Sequence, residues 1–155
     1  MQQAIPALLA STLAIAAALF PTQNHAADLE VTLRGVHSSD GQALVAVHRE
    51  VPGVGFPSDG GVVAGEARPA ATEDIRFVFE ALPPGDYAVA AFHDADDDGQ
   101  LDANFAGMPT EGFGFSNDAR GFMGPPTFEA AKISVGSNKE TTRIVVTIEC
   151  PESAR

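Results

Sequence analysis

A cluster of aspartates is the feature of this sequence best suited to chemistry. The stretch Asp94–Asp102 reads Asp-Ala-Asp-Asp-Asp-Gly-Gln-Leu-Asp and matches the first part of the twelve-residue calcium loop. Asp94, Asp96 and Asp98 alternate along the chain, so their side chains converge when the backbone curls, and Gly99 permits the sharp bend. The sequence therefore predicts a calcium site in residues 94–102, which we call the acidic loop.

Two more oxygen donors extend the predicted ligand set. Gln100 can offer its backbone carbonyl, and Asp102 can coordinate directly or through water. Oxygen donors that include several carboxylates suit Ca²⁺ better than Zn²⁺ or copper. The alternative is a solvated acidic turn between strands, where Asp and Gly are common anyway. Repulsion among the closely spaced carboxylates favours the metal, because a bound cation would relieve it.

The acidic loop departs from an EF-hand in two respects. Its twelfth position is Phe105 in place of the bidentate Glu, and its flanks are typical of a strand and a loop instead of two helices. We therefore predict a weak site, with a dissociation constant of about 10⁻⁴ to 10⁻³ M. Another carboxylate could complete the shell, and the sequence does not select among the candidates Asp97, Glu111 and Asp118.

The elements that must position this loop are predicted to be strands. Apolar and polar residues alternate at 29–33 and at 75–79, which is the pattern of half-buried strands. We predict a hairpin between the first strand and the next one along the chain. The remaining predicted strands are Ala43–His48, a short edge strand at 62–68, Tyr87–His93, Ala131–Val135 and Thr141–Glu149. About seven short strands with short connections predict an all-β, antiparallel sandwich of immunoglobulin or transthyretin type.

A long segment without clear periodicity follows the Tyr87–His93 strand and reaches to about residue 130. Half of the ten Phe residues lie in it, which argues against disorder, because disordered segments are poor in aromatic residues. We predict an ordered loop whose Phe side chains pack on the sandwich. Its candidate contact surface for a partner consists of Phe113, Phe115, Arg120 and Phe122.

The N-terminal residues 1–27 are predicted to be a signal peptide. An apolar run from Ala7 to Phe20 ends in a polar segment that carries alanines, and the run is short for a membrane span. A retained N-terminal anchor is the alternative. The predicted product is one β-sandwich domain, residues 28–155, which is periplasmic or secreted and has no membrane span after processing.

The charge of the chain excludes some partners. A formal net charge of −12 argues against nucleic acid and against anionic membrane surfaces. The chain has one cysteine, Cys150, so it has no intramolecular disulfide.

The sequence gives little support to an enzyme. His93 precedes the acidic loop and could be a ligand or a general base, but an isolated His beside a strand end is more often packed or solvated. Glu111 and Asp118 could act as acid and base, yet nothing in the sequence positions them. We therefore predict that the chain is not an enzyme and has no catalytic residue. The alternative is a small metal-dependent hydrolase that uses the acidic loop.

Three stretches resemble a family of exported bacterial proteins, catalogued as domain of unknown function two-one-four-one. They are Phe79–Asp94, Glu111–Gly121 and Gly124–Phe128, and they occur in the same order as in that family. The family has no assigned activity, so the resemblance implies export and a fold but no reaction. The turn Leu82–Tyr87 also looks like that of transthyretin-like and carboxypeptidase-regulatory-type sandwiches. This second resemblance implies a binding or structural module with an unknown protein or carbohydrate ligand.

Overall fold

Short amphipathic β-strands are the main regular secondary structure in a computed structural model that describes residues 26–137 and 139–150. The strands are β1 (Ala27–Arg34), β2 (Gln42–His48), β3 (Val62–Pro69), β4 (Ile75–Leu82), β5 (Gly85–Asp94), β6 (Phe113–Phe115), β7 (Lys132–Val135) and β8 (Thr142–Thr147). One short helix, α1 (Phe128–Ala131), precedes β7. The predicted signal peptide lies almost wholly outside the described residues and stays a prediction. None of the helices in the described part of the chain is long and apolar enough to cross a membrane.

The strands form two sheets, which confirms the predicted all-β sandwich. The smaller sheet has the order β4-β1-β8, and the larger has the order β3-β2-β5-β6, with β7 also paired to β5. Alternate residues of β1 and β5 face the space between the sheets and are fully buried there, including Leu29, Leu33 and Val89. This alternation is the period-two pattern that the sequence carries.

The predicted hairpin between β1 and β2 is wrong, because these strands belong to different sheets. β1 pairs with β4 in antiparallel fashion and with β8 in parallel, where Leu29 lies opposite Thr142. The sandwich is therefore not purely antiparallel. The turn at residues 38–41 carries the chain from one sheet to the other, and each strand presents its apolar face to the opposite sheet.

The long segment after β5 is ordered, as predicted, but only part of it packs on the sandwich. Phe115 and Phe128 both contact Phe56, and their ring centroids lie 5.6 Å and 6.3 Å from the centroid of the Phe56 ring. Phe105 is instead fully exposed, and Phe122 is 95% exposed. The expectation that the Phe side chains of this segment pack is therefore right for some of them and wrong for these two.

One serine joins the separate pieces of that segment to β5. β6 and β7 pair with the same edge of β5. The last residue of β6, Phe115, lies opposite Ala90, and the first residue of β7, Lys132, lies opposite Ala88. Between them, the Oγ of the fully buried Ser116 accepts the N–H of Val89 at 2.9 Å and donates to the carbonyl of Ala131 at 2.5 Å. The hydroxyl thus fills the gap between two strand ends.

We expect Ser116→Ala to lower the free energy of unfolding by about 2 kcal/mol, because it leaves a buried N–H and a buried C=O without their partner. Ser134→Ala is the matched control, since the Ser134 hydroxyl is exposed and bonds the Asp86 carboxylate. Urea unfolding of both variants measures the difference. Equal midpoints for the two variants would contradict the role assigned to Ser116.

Candidate metal centre

Three carboxylates converge at the end of β5. Asp94, Asp96 and Glu111 each offer an oxygen, and these oxygens all lie within 4.8 Å of one another. Asp94 is fully buried and Glu111 is 8% exposed, whereas Asp96 is exposed to solvent. The three side chains therefore form a small acidic group, which we call the carboxylate group, with two of its members inside the protein.

The pairing of β5 with β6 brings Glu111 to this position. Phe92 lies opposite Phe113, and the N–H of His93 donates to the carbonyl of Gly112 at 2.8 Å. Continuing this antiparallel register places Glu111 beside Asp94. The two buried carboxylates are thus held by the ends of two neighbouring strands.

Backbone N–H groups of the acidic loop donate hydrogen bonds to both buried carboxylates. The two oxygens of Asp94 accept from Asp98 at 3.1 Å and from Gly99 at 2.9 Å. The two oxygens of Glu111 accept from Ala95 at 2.8 Å and from Asp102 at 3.1 Å. Because an ionised carboxylate has about four acceptor positions, each keeps capacity for a cation.

Local turns curl the loop above these two side chains. Gly99 has a φ of +78°, in the left-handed region that favours glycine. The Asp96 carboxylate accepts from the N–H of Asp98 at 3.3 Å, and the Asp98 carboxylate accepts from the N–H of Gln100 at 2.7 Å. These side-chain turns are typical of aspartate in a tight loop and turn its backbone inward.

The electrostatics of the loop disfavour a negative charge on Asp96. The pKa of Asp96 is raised, first by loss of water around the carboxyl and then by repulsion from Asp98, Asp102 and Glu111; the N–H of Asp98 opposes the shift. A folded-state pKa above the unfolded value favours folding at low pH, and this contribution is lost as the pH rises through it. Near neutral pH a cation would remove the repulsion.

The predicted ligands are only partly brought together. Asp94 and Asp96 belong to the carboxylate group. Of the three candidates for a further ligand, only Glu111 belongs to it. Asp97, Asp98, Gln100 and Asp102 are exposed on the loop, and Asp118 lies in the turn after β6. Asp98 and Asp102 lie near enough to the group for their charges to raise the pKa of Asp96. Calcium binding itself stays a prediction.

Three of the four predicted contact residues, Phe113, Phe115 and Arg120, line one cavity of about 190 Å³. Phe113 and Phe115 are half-buried and their ring centroids lie 5.8 Å apart. Arg120 forms a bidentate ion pair with Glu149, and Phe122 projects into solvent. Of the four, Phe122 does not line that cavity, and the role of the surface in binding a partner stays a prediction.

Histidines near the group have structural partners that the sequence did not indicate. His93 is buried and donates from Nε2 to the carbonyl of Asp40 at 2.8 Å, which ties the turn 38–41 to the start of the acidic loop. The Nδ1 of His37 lies 2.8 Å from the Sγ of Cys150. Spacing along the chain carries no signal for that second pair, because the two residues are 113 positions apart.

A sequence model of a bacterial protein family, described as "Uncharacterized protein conserved in bacteria (DUF2141)", matches residues 31–143. No curated protein and no solved structure matches the chain. The resemblance to transthyretin-like and carboxypeptidase-regulatory-type sandwiches therefore stays a prediction. Since the match covers most of the chain, including the acidic loop and Glu111, this protein belongs to the uncharacterized bacterial family DUF2141.

Proposed function

We propose that this protein is an exported binding or structural module whose fold is stabilised by calcium. The observation that carries the proposal is the carboxylate group, Asp94, Asp96 and Glu111. Two of these acids are buried, and no lysine or arginine of the described residues forms an ion pair with any of the three. Buried charge is costly unless it is compensated, and the backbone N–H groups compensate it only in part.

Calcium suits the donors of this group better than other common metals. Every donor is an oxygen, and Ca²⁺ accepts several carboxylates in a flexible geometry, with water in the remaining positions. The exposed side of the group, at Asp96, leaves room for such waters. The charges of Asp98 and Asp102 act on Asp96, so these two carboxylates are the candidates for further ligands if the loop moves.

The role of the metal follows from where its ligands lie in the chain. Asp94 ends β5, whereas Glu111 lies just before β6, and the acidic loop connects the two. A cation between them would fasten the segment after β5 to the larger sheet. Export is supported by the apolar N-terminal run, and a compartment with millimolar calcium fits a weak site. The alternative of a small metal-dependent hydrolase stays a prediction.

Thermal unfolding with and without calcium tests this proposal. For a dissociation constant near 10⁻³ M, 10 mM calcium should stabilise the protein by about 1.4 kcal/mol relative to EDTA. That corresponds to a rise of about 5 °C in Tm for a domain of this size. Sodium chloride at equal ionic strength controls for screening.

The matched variants are Asp96→Asn and Asp97→Asn, which remove one charge each from adjacent exposed positions of the loop. Only Asp96 belongs to the carboxylate group, so Asp96→Asn should reduce the calcium-induced rise in Tm and Asp97→Asn should leave most of it. If the unaltered protein gains no stability from calcium beyond that given by sodium chloride, the calcium proposal is wrong.

A further inference from the structure

A groove runs across the outer face of the larger sheet, on the side away from the core. It has a volume of about 710 Å³, within the range of about 300–1,000 Å³ that ligand pockets occupy. The acidic loop lines it at residues 99–101, and the loop before β3 lines it at Pro57 and Asp59. The groove therefore lies between two loops and has a paired sheet as its floor.

The floor and wall of the groove are apolar. Small residues, Ala46 and Ala90, lie on the outer faces of β2 and β5 and leave space above the sheet. Phe92, Phe113 and Phe115 line the groove and are only half-buried. Binding of an apolar group to such a surface is favourable, because it removes apolar area from water.

The charges that line the groove are of one sign. Its acidic side chains are Asp59 and Glu66, and none of its lining residues is a lysine or an arginine. Glu66 is neutralised by Arg68 at 2.7 Å, whereas Asp59 forms no ion pair within the described residues. His48, which also lines the groove, is 2% exposed. Burial lowers the pKa of His48, so the ring is uncharged at neutral pH.

We propose that this groove binds an apolar organic cation, an alkylammonium ion that carries an aromatic ring. The faces of aromatic rings attract such cations, and the carboxylate of Asp59 supplies the opposite charge. An alkylated ammonium loses less hydration on binding than a bare ammonium, which fits a groove with few polar groups. An anion would meet Asp59 and an overall charge of −12. This inference rests on the proposed binding role of the protein and does not require the metal.

The probes for the experiment share a phenyl group and differ in charge. They are benzyltrimethylammonium, benzyl alcohol and phenylacetate, and calorimetric titration of the full chain measures their dissociation constants. We expect the cation to bind at least about tenfold more tightly than the alcohol, with phenylacetate weakest. Equal binding of the cation and the alcohol would overturn the proposal, as would preference for the anion.

Two variants locate the binding in the groove. Asp59→Asn should weaken binding of the cation about fivefold and leave the alcohol unchanged, whereas Glu73→Gln removes a charge from an exposed residue outside the groove and should change neither. Ala90→Leu fills the floor and should abolish binding of both probes. The proposal is overturned if Asp59→Asn behaves like Glu73→Gln, or if folded Ala90→Leu still binds the cation.

Titrations in EDTA and in calcium separate the two proposals. Cation binding without a calcium-induced rise in Tm would refute the calcium proposal and support the cation-binding proposal. A calcium-induced rise in Tm without cation binding would support the calcium proposal and refute cation binding in the groove.

Discussion

Replacing Glu111 by Gln should lower the free energy of unfolding by about 2 kcal/mol even in EDTA. The Glu111 carboxylate accepts N–H bonds from Ala95, near the start of the acidic loop, and from Asp102 at its end. A glutamine has one amide oxygen, so one of these N–H groups would face an NH₂ group and lose its acceptor. In calcium the loss should grow, because the same substitution removes a metal ligand.

Asp118→Asn is the matched control for Glu111→Gln. Both changes are isosteric and neutralise one carboxylate of the segment after β5, and the sequence offered both residues as further metal ligands. Asp118 is exposed in the turn after β6 and does not belong to the carboxylate group. We expect its variant to keep both the stability in EDTA and the gain from calcium. Chemical denaturation with and without calcium measures the free energy of unfolding of each variant in both conditions. If the two variants have the same stability, Glu111 does not hold the loop.

Gly41→Ala should destabilise the protein by about 3 kcal/mol. Gly41 has a φ of +66°, and a Cβ on it would overlap the carbonyl oxygen of Asp94 and lie 2.8 Å from the Cα of Ala95. The cost therefore combines left-handed backbone strain with a backbone clash. Since the clash falls at the start of the acidic loop, we also expect weaker calcium binding.

Gly53→Ala isolates the strain from the clash. Gly53 has a similar φ of +81°, but a Cβ there would meet no atom within 4 Å. Its variant should lose only about 1–2 kcal/mol, the usual cost of an L-residue in the left-handed region. Urea midpoints at constant m-value measure both losses. If Gly41→Ala costs no more than Gly53→Ala, the close approach of the turn to Asp94 has no energetic consequence.

Sequence periodicity predicted the elements of the fold better than their arrangement. Leu29, Val31 and Leu33 alternate with polar residues, and all three are buried as expected. The same alternation cannot identify a neighbouring strand, since it specifies only which face is buried. The predicted hairpin between β1 and β2 is therefore wrong, and no local sequence pattern indicates the parallel pairing of β1 with β8.

The sequence likewise predicted the local part of the candidate site but not the residue that strand pairing brings to it. The spacing of Asp94 and Asp96 depends on local backbone geometry, so it is visible in the sequence. The choice of Glu111 depends on the register between β5 and β6. β6 has only three residues, Phe113–Phe115, which is too short for alternation to distinguish it from a loop. The groove likewise exists only once strands from distant parts of the chain pair side by side.

The position of β1 in the smaller sheet has a consequence for the order of events in folding. β1 lies between β4 and β8, so the strand made early in synthesis lacks one of its two neighbours until residues 142–147 are available. Contacts between such distant segments make folding slow. A chain synthesised from its N-terminus would thus keep β1 incompletely paired until residues 142–147 have been made.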